Sequence, residues 1–259
     1  MTDAAVAHPA ATVVVARALA DDAFEVFLVK RNGRAGFMAN AHVFPGGRVD
    51  DDDDAFGADR FGVAAIRETW EETGVLLARP ESGIALSTLD PINALSARIA
   101  GGMTFAEAMN ATGLVPDVEL LTPIAWWVTP AAEPRRFDTR FFFAVVPPLQ
   151  RHTAVADGNE VVEGDWFTPQ AALDAYAAGT IHLSPPTLVT LEELAPLTLS
   201  AVRSTSWPTR AVQPVLHEDG DGIVLALPGD ALHAERDAVW PARTRIVGGN
   251  GRRWRSSTG

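Results

Sequence analysis

Glu68, Glu71 and Glu72 are spaced i, i+3 and i+4. On a helix turning roughly 100° per residue, that spacing gathers three carboxylates on one side and leaves Val63, Ile66 and Trp70 on the other. Like charges so placed repel, and the face is stable only where solvent or a cation neutralises it. Carboxylate oxygens are hard ligands that suit Mg²⁺ or Mn²⁺, ions that retain waters and also accept phosphate oxygens. Spacing alone therefore leaves two readings, a divalent-metal site for phosphate chemistry and an ordinary solvated face. Other chemistries find less support. The chain has no cysteine, which removes thiolate metal sites and cysteine nucleophiles. Its six histidines form no pair at metal-ligand spacing, and Ser184 has no hydrolase elbow around it.

These residues must be positioned by a soluble globular chain. In 259 residues, 47% are hydrophobic and 21% charged, enough for a sizeable core. Acidic residues outnumber basic ones by 33 to 21, giving a net charge of −12, which argues against general capture of nucleic acid or anionic lipid. The start carries no basic leader and no apolar run approaches a membrane span, so the expected location is cytoplasmic. Thr12–Leu19 and Phe24–Lys30 read as a buried hairpin, followed by a loop and the glycine pair Gly46-Gly47. Asp50–Asp54, five aspartates in a row, reads as a solvated surface loop. A helix is expected from about Ala58 to Thr73 with Gly74 at its C-cap, then two short helices within Ser87–Gly113 broken at Gly101-Gly102. Strands are expected at Ile124–Val128, Arg140–Val146 and Val161–Phe167, and helices at Pro169–Ala178 and Thr187–Leu194. The tail offers candidate strands at Ala211–Leu216, Ile223–Leu227 and Thr244–Val247. The economical reading is one mixed α/β domain over 1–259, with a core from about 10 to 197 and a C-terminal β extension over about 198–259.

Gly47 and the run Arg67-Glu68-Thr69-Trp70-Glu71-Glu72-Thr73-Gly74-Val75 resemble the Nudix box, the signature of the Nudix hydrolase family. The resemblance implies an α/β/α sandwich and divalent-metal hydrolysis of a nucleoside diphosphate linked to another moiety. By position it makes Glu68, Glu71 and Glu72 the metal carboxylates, with Mg²⁺ or Mn²⁺ as cofactor, and Arg67 the residue that orients them. Gly47 lies six residues further from the arginine than the family's box glycine, so the aspartate run reads as an insertion. The family's glutamate eight residues ahead of the arginine is Asp59 here, and the aliphatic after Arg-Glu is Thr69. Further motifs are similar to the branch related to peroxisomal coenzyme A diphosphatases, among them Phe44-Pro45-Gly46-Gly47, Trp127-Val128-Thr129-Pro130 and Leu183-Ser184-Pro185-Pro186-Thr187. The chain nonetheless ends Ser-Ser-Thr-Gly, without a peroxisomal address.

The substrate implied is a small nucleotide diphosphate, coenzyme A or an acyl-CoA, with an ADP-ribose or nucleotide-sugar diphosphatase and a non-catalytic nucleotide sensor as rivals. Arg31, Arg34, Phe37, Gly46, Gly47, Arg135 and Arg136 are the expected substrate-binding residues. For the four arginines a solvated turn and a phosphate clamp both remain open, since guanidinium forks suit phosphate oxygens. Trp126, Trp127 and Phe141–Phe143 read as core rather than as a stacking platform. The general base is expected at Glu160, beside a Gly-Asn turn, ahead of Glu68 itself and then Glu163. No nucleic-acid or membrane partner is expected, and a homodimer is left open.

Overall fold

The computed structural model describes residues 5–32, 40–154, 161–220, 222–249 and 251–259. The β-branched runs form the expected hairpin, β1 (Ala7–Ala18) and β2 (Phe24–Arg31), with Ala16 opposite Val26. Next, β3 (His42–Val43) pairs with the end of β2, and β4 (Gly46–Arg48) with the first half of β1. Helix α1 (Arg60–Thr73) is opened by Asp59, whose carboxylate accepts from the N–H groups of Phe61 and Gly62 at 3.3 Å. It closes at Gly74, whose φ of 72° belongs to the left-handed region that favours glycine.

A short antiparallel ladder of β5 (Ala78–Pro80) and β6 (Leu114–Pro116) brackets α2 (Asp90–Ala100) and α3 (Phe105–Thr112). The break between these helices falls at Gly101-Gly102 as expected, and Thr104 reopens the helix in a capping box with Glu107. Then come β7 (Thr122–Val128), β8 (Arg136–Val145), β9 (Val161–Phe167), α4 (Pro169–Ala178), α5 (Pro185–Leu194) and α6 (Leu199–Ser204). β8 runs parallel to β1, from Ala7 opposite Arg136 to Ala16 opposite Val145, and antiparallel to β7, while β9 joins β2. The result is one mixed sheet.

Both faces of that sheet are buried, which is why its strands are near-continuous apolar runs. Val13 and Val15 pack with residues of α1, α2 and α3, whereas Val14 and Ala16 pack with residues of α4 and α5. The same alternation separates Phe142 and Ala144 from Phe141 and Phe143. This is a mixed α/β sandwich.

The second face also receives a four-stranded antiparallel sheet, β10 (Val215–Asp219), β11 (Gly222–Ala226), β12 (Arg245–Gly249) and β13 (Arg252–Ser257). Leu225, Leu227 and Ile246 join the core beneath it, and Trp240 stacks on Trp127 with ring centroids 4.9 Å apart. The first tail strand lies later than expected. Val212 makes an isolated bridge to Trp127, and the ladder begins at Val215. Among the described residues no helix is long and apolar enough to cross a membrane.

An ion pair pins this sheet. Buried Asp230 accepts from Arg245 Nε at 2.8 Å and Nη2 at 2.9 Å, and from the Leu232 N–H at 2.8 Å. The Arg245 hydrogen bonds hold the Asp230 carboxyl below the usual carboxylate range. A depressed carboxyl pKa adds stability above the unfolded value of about 3.9 and loses it as pH falls through the native value. Asp230→Asn should therefore lower Tm at pH 7, with the gap to wild type narrowing towards pH 3. Thermal melts of both proteins across that range check this, and a constant gap contradicts it.

Candidate metal centre and substrate cavity

Ala64, Ala65 and Ile66 seat α1 on the sheet, which carries Arg67 into a buried position beneath the acidic face. Its guanidinium fork is fully used. Nε and Nη2 grip Asp53 at 2.9 and 3.0 Å, and Nη2 also donates to the Arg48 carbonyl at 2.8 Å. Nη1 donates to Glu68 Oε1 at 2.9 Å and Glu71 Oε2 at 3.1 Å, and Asp50 stands 3.6 Å from Nη2. Burial opposes the charge on Arg67, but the Asp53 hydrogen bonds and the charges of Glu68, Asp53 and Glu71 outweigh it and raise the pKa further. Arg67 thus stays cationic and fixes the directions of two box carboxylates.

One expectation changes here. The aspartate run is not simply a solvated loop: Asp51–Phe56 is a 3₁₀ turn closed by a reciprocal Asp50–Asp53 capping box, and Asp53 is 1% exposed. The arginine's buried partner is Asp53, while Asp59, at the position matching the family's glutamate, caps α1 instead. The inserted residues form the turn that carries Asp53 to Arg67, which no spacing rule for the box anticipates.

The glycine pair completes the cluster. The Gly46 N–H donates to Glu72 Oε2 at 3.1 Å, and Glu72 is buried. Gly46 itself has φ of 155°, and a Cβ there would strike the β1 backbone at Ala11 and Thr12. At Gly47 a Cβ would overlap the Glu68 carboxylate, so only glycine lets that side chain lie against β4. Burial pushes the Glu71 carboxyl up, offset in part by Arg67.

Four carboxylates, those of Asp50, Asp53, Glu68 and Glu71, share the single guanidinium of Arg67, and Glu72 stands beside them on the backbone of Gly46. Among the described residues no three such groups converge on one point as a preformed cage; the carboxylates are gathered on Arg67 instead. The donor set is nevertheless all-oxygen and anionic, which fits a hard divalent cation.

On the opposite face of the sheet a cavity of about 240 Å³ opens, and Gly46 lines it. Arg31 also lines this cavity, with a buried Nε that has no hydrogen-bond partner among the described residues. Arg136 is directed elsewhere. It is the buried first residue of β8 and donates to the carbonyls of Thr129 (3.2 Å) and Ala5 (2.6 Å). Arg135 is exposed, its guanidinium 5.8 Å from the ring of Phe137, a cavity residue. Glu163 pairs with Lys30 at 3.0 Å. Arg34, Phe37 and Glu160 lie outside the described residues. Trp127 and Phe141–Phe143 are core as expected, but Trp127 and Phe141 also line the cavity.

A Nudix domain profile matches residues 7–89, and a NUDT19 Nudix domain profile matches residues 53–194. The chain is 28% identical to acyl-coenzyme A diphosphatase NUDT19 of Xenopus laevis, covering 88% of this chain and 76% of that protein. It is 33% identical to putative nudix hydrolase 7 of Caenorhabditis elegans, covering 83% and 71%. A crystal structure of a Nudix hydrolase from Alicyclobacillus acidocaldarius is 29% identical and superposes with a TM-score of 0.66, covering 78% of this chain and 97% of that one. Fold and carboxylate helix together define an enzyme that hydrolyses diphosphate bonds. The chain belongs to the Nudix hydrolase family.

Proposed function

We propose that this enzyme splits the diphosphate of coenzyme A or an acyl-CoA, yielding adenosine 3′,5′-bisphosphate and a 4′-phosphopantetheine product. The observation that carries the reading is the meeting at Gly46 of two unlike features, the box carboxylates and a largely apolar cavity. A substrate with a diphosphate and a long, weakly polar limb matches both. The relatives named acyl-coenzyme A diphosphatase support the same substrate.

In this mechanism Glu68, Glu71 and Glu72 would hold Mg²⁺ or Mn²⁺. When bound, such an ion neutralises diphosphate oxygens and makes a water more acidic. The chain's own residues do the positioning. Arg67 keeps Glu68 and Glu71 directed, the Gly46 N–H orients Glu72, and Gly47 admits the Glu68 carboxylate. Arg31, which shares the cavity lining with Gly46 and whose buried Nε has no partner among the described residues, is assigned to substrate phosphate. Proton removal from the attacking water is assigned to a carboxylate, Glu160 or Glu68.

A substrate panel tests the reading. With Mg²⁺, kcat/KM for coenzyme A species should exceed that for ADP-ribose and nucleotide sugars, and the advantage should shrink with dephospho-coenzyme A. Equal or better turnover of ADP-ribose would overturn it.

A further inference from the structure

The cavity is too small for a whole substrate. Pockets that bury an entire small ligand span roughly 300–1,000 Å³, against about 240 Å³ here. It is therefore sized for one limb of a ligand. Its lining is hydrocarbon and aromatic, including Trp127, Phe141, Leu216, Ile223, Leu225 and Trp254. The last four come from β10, β11 and β13, so the C-terminal sheet supplies one wall.

Two polar features give the cavity a direction. Among the described residues four buried side-chain nitrogens lack a hydrogen-bond partner, and two of these, Arg31 Nε and Trp127 Nε1, belong to residues that line it. A buried N–H left unpaired is costly, on the order of 1–3 kcal/mol, unless a ligand acceptor completes it. Trp127 is 4% exposed, so bulk water does not satisfy its indole. The buried hydroxyls of Ser184 and Thr187 are already bonded to each other at 2.8 Å, in the cap of α5. Arg31 and Glu133 are the charged residues of the lining, and an isolated indole donor among otherwise mainly apolar walls matches a hydrocarbon chain that carries one carbonyl at its head. A purine, with donors and acceptors alternating around its edge, matches this lining less well.

We propose that the cavity holds the acyl chain of an acyl thioester of coenzyme A, with the indole N–H of Trp127 donating to the thioester carbonyl, so that the C-terminal sheet sets the preferred chain length. This rests on the coenzyme A reading above and assigns the limb of that substrate lying away from the adenosine. Each methylene buried in a dry apolar site tightens binding about fourfold. From acetyl-CoA to hexanoyl-CoA, kcat/KM should rise by at least about 10-fold, then fall once the chain outgrows the cavity.

The test uses the full chain with Mg²⁺ and a series of free coenzyme A and acetyl, butanoyl, hexanoyl, octanoyl and palmitoyl esters. Leu216→Trp narrows the wall and should move the optimum to shorter chains, cutting the hexanoyl-to-acetyl ratio of kcat/KM at least about 5-fold. Ile223→Ala widens it and should move the optimum to longer chains. Opposite shifts exclude a mere loss of folded protein, since misfolding lowers all substrates together. A flat wild-type series, or an unchanged optimum in both variants, would overturn the cavity assignment while leaving the diphosphatase reading intact. Turnover of ADP-ribose with no hydrolysis of any coenzyme A species would overturn both.

Discussion

Glu72→Gln is expected to lower kcat at least about 100-fold, comparable to removing a key electrostatic group from a catalytic site. The substitution removes one negative charge while changing almost no volume. Glu72 is buried and its Oε2 accepts from the Gly46 N–H, so the glutamine can keep that contact through its carbonyl oxygen and the fold should persist. Turnover measured at limiting Mg²⁺, with Tm recorded on the same preparations, separates lost chemistry from lost structure. Near-wild-type kcat at limiting Mg²⁺ would remove Glu72 from the metal centre.

The second large effect is expected at Asp53, which lies outside the box altogether. Its carboxylate takes two hydrogen bonds from Arg67 and is 1% exposed. Removing it leaves two donors of a buried guanidinium unpaired while Glu68 and Glu71 still offset its charge, a loss of about 3 kcal/mol, at the low end for a broken buried ion pair. Asp53→Ala should therefore destabilise the fold by that order. It should also lower kcat, because Arg67 is the group that directs Glu68 and Glu71. Asp59→Ala supplies the contrast, since a lost helix cap costs only about 1 kcal/mol. Denaturant unfolding of both variants checks the ranking. If Asp59→Ala were the more damaging change, Asp53 would not be the residue that anchors Arg67.

What was legible in the sequence follows from how local each signal is. The carboxylate helix is self-contained. Its period, its Gly74 cap and its three glutamates all lie within one segment, and the structure places them accordingly. The two-face burial of the strands was visible in their continuous apolar runs. Asp53 was not legible as Arg67's partner, because five identical residues offer no contrast to single one out. The available signal was the i, i+3 pair of Asp50 and Asp53, a capping-box spacing just before the turn. β13 was missed for a different reason. Arg252-Arg253-Trp254-Arg255 lacks the apolar run that marks the other tail strands, yet it is an edge strand paired with β12 whose Trp254 lines the cavity. Arg136 was open to a turn or a phosphate clamp beside Arg135, but β8 starts earlier than its phenylalanine run suggests, and the side chain is used on backbone carbonyls. The cavity itself had no sequence signature. Its walls come from β1, β2, β3, β4, β7, β8, the start of α5 and the C-terminal sheet, segments that folding alone brings together.

The most direct measurement of the central claim is product identity in the coenzyme A arm of the substrate panel. Purified protein incubated with coenzyme A and Mg²⁺ should release adenosine 3′,5′-bisphosphate and 4′-phosphopantetheine in equal amounts, resolved by mass, and release should cease with excess EDTA. Intact coenzyme A after incubation with Mg²⁺ or Mn²⁺, or products that form equally well in EDTA, would contradict the account.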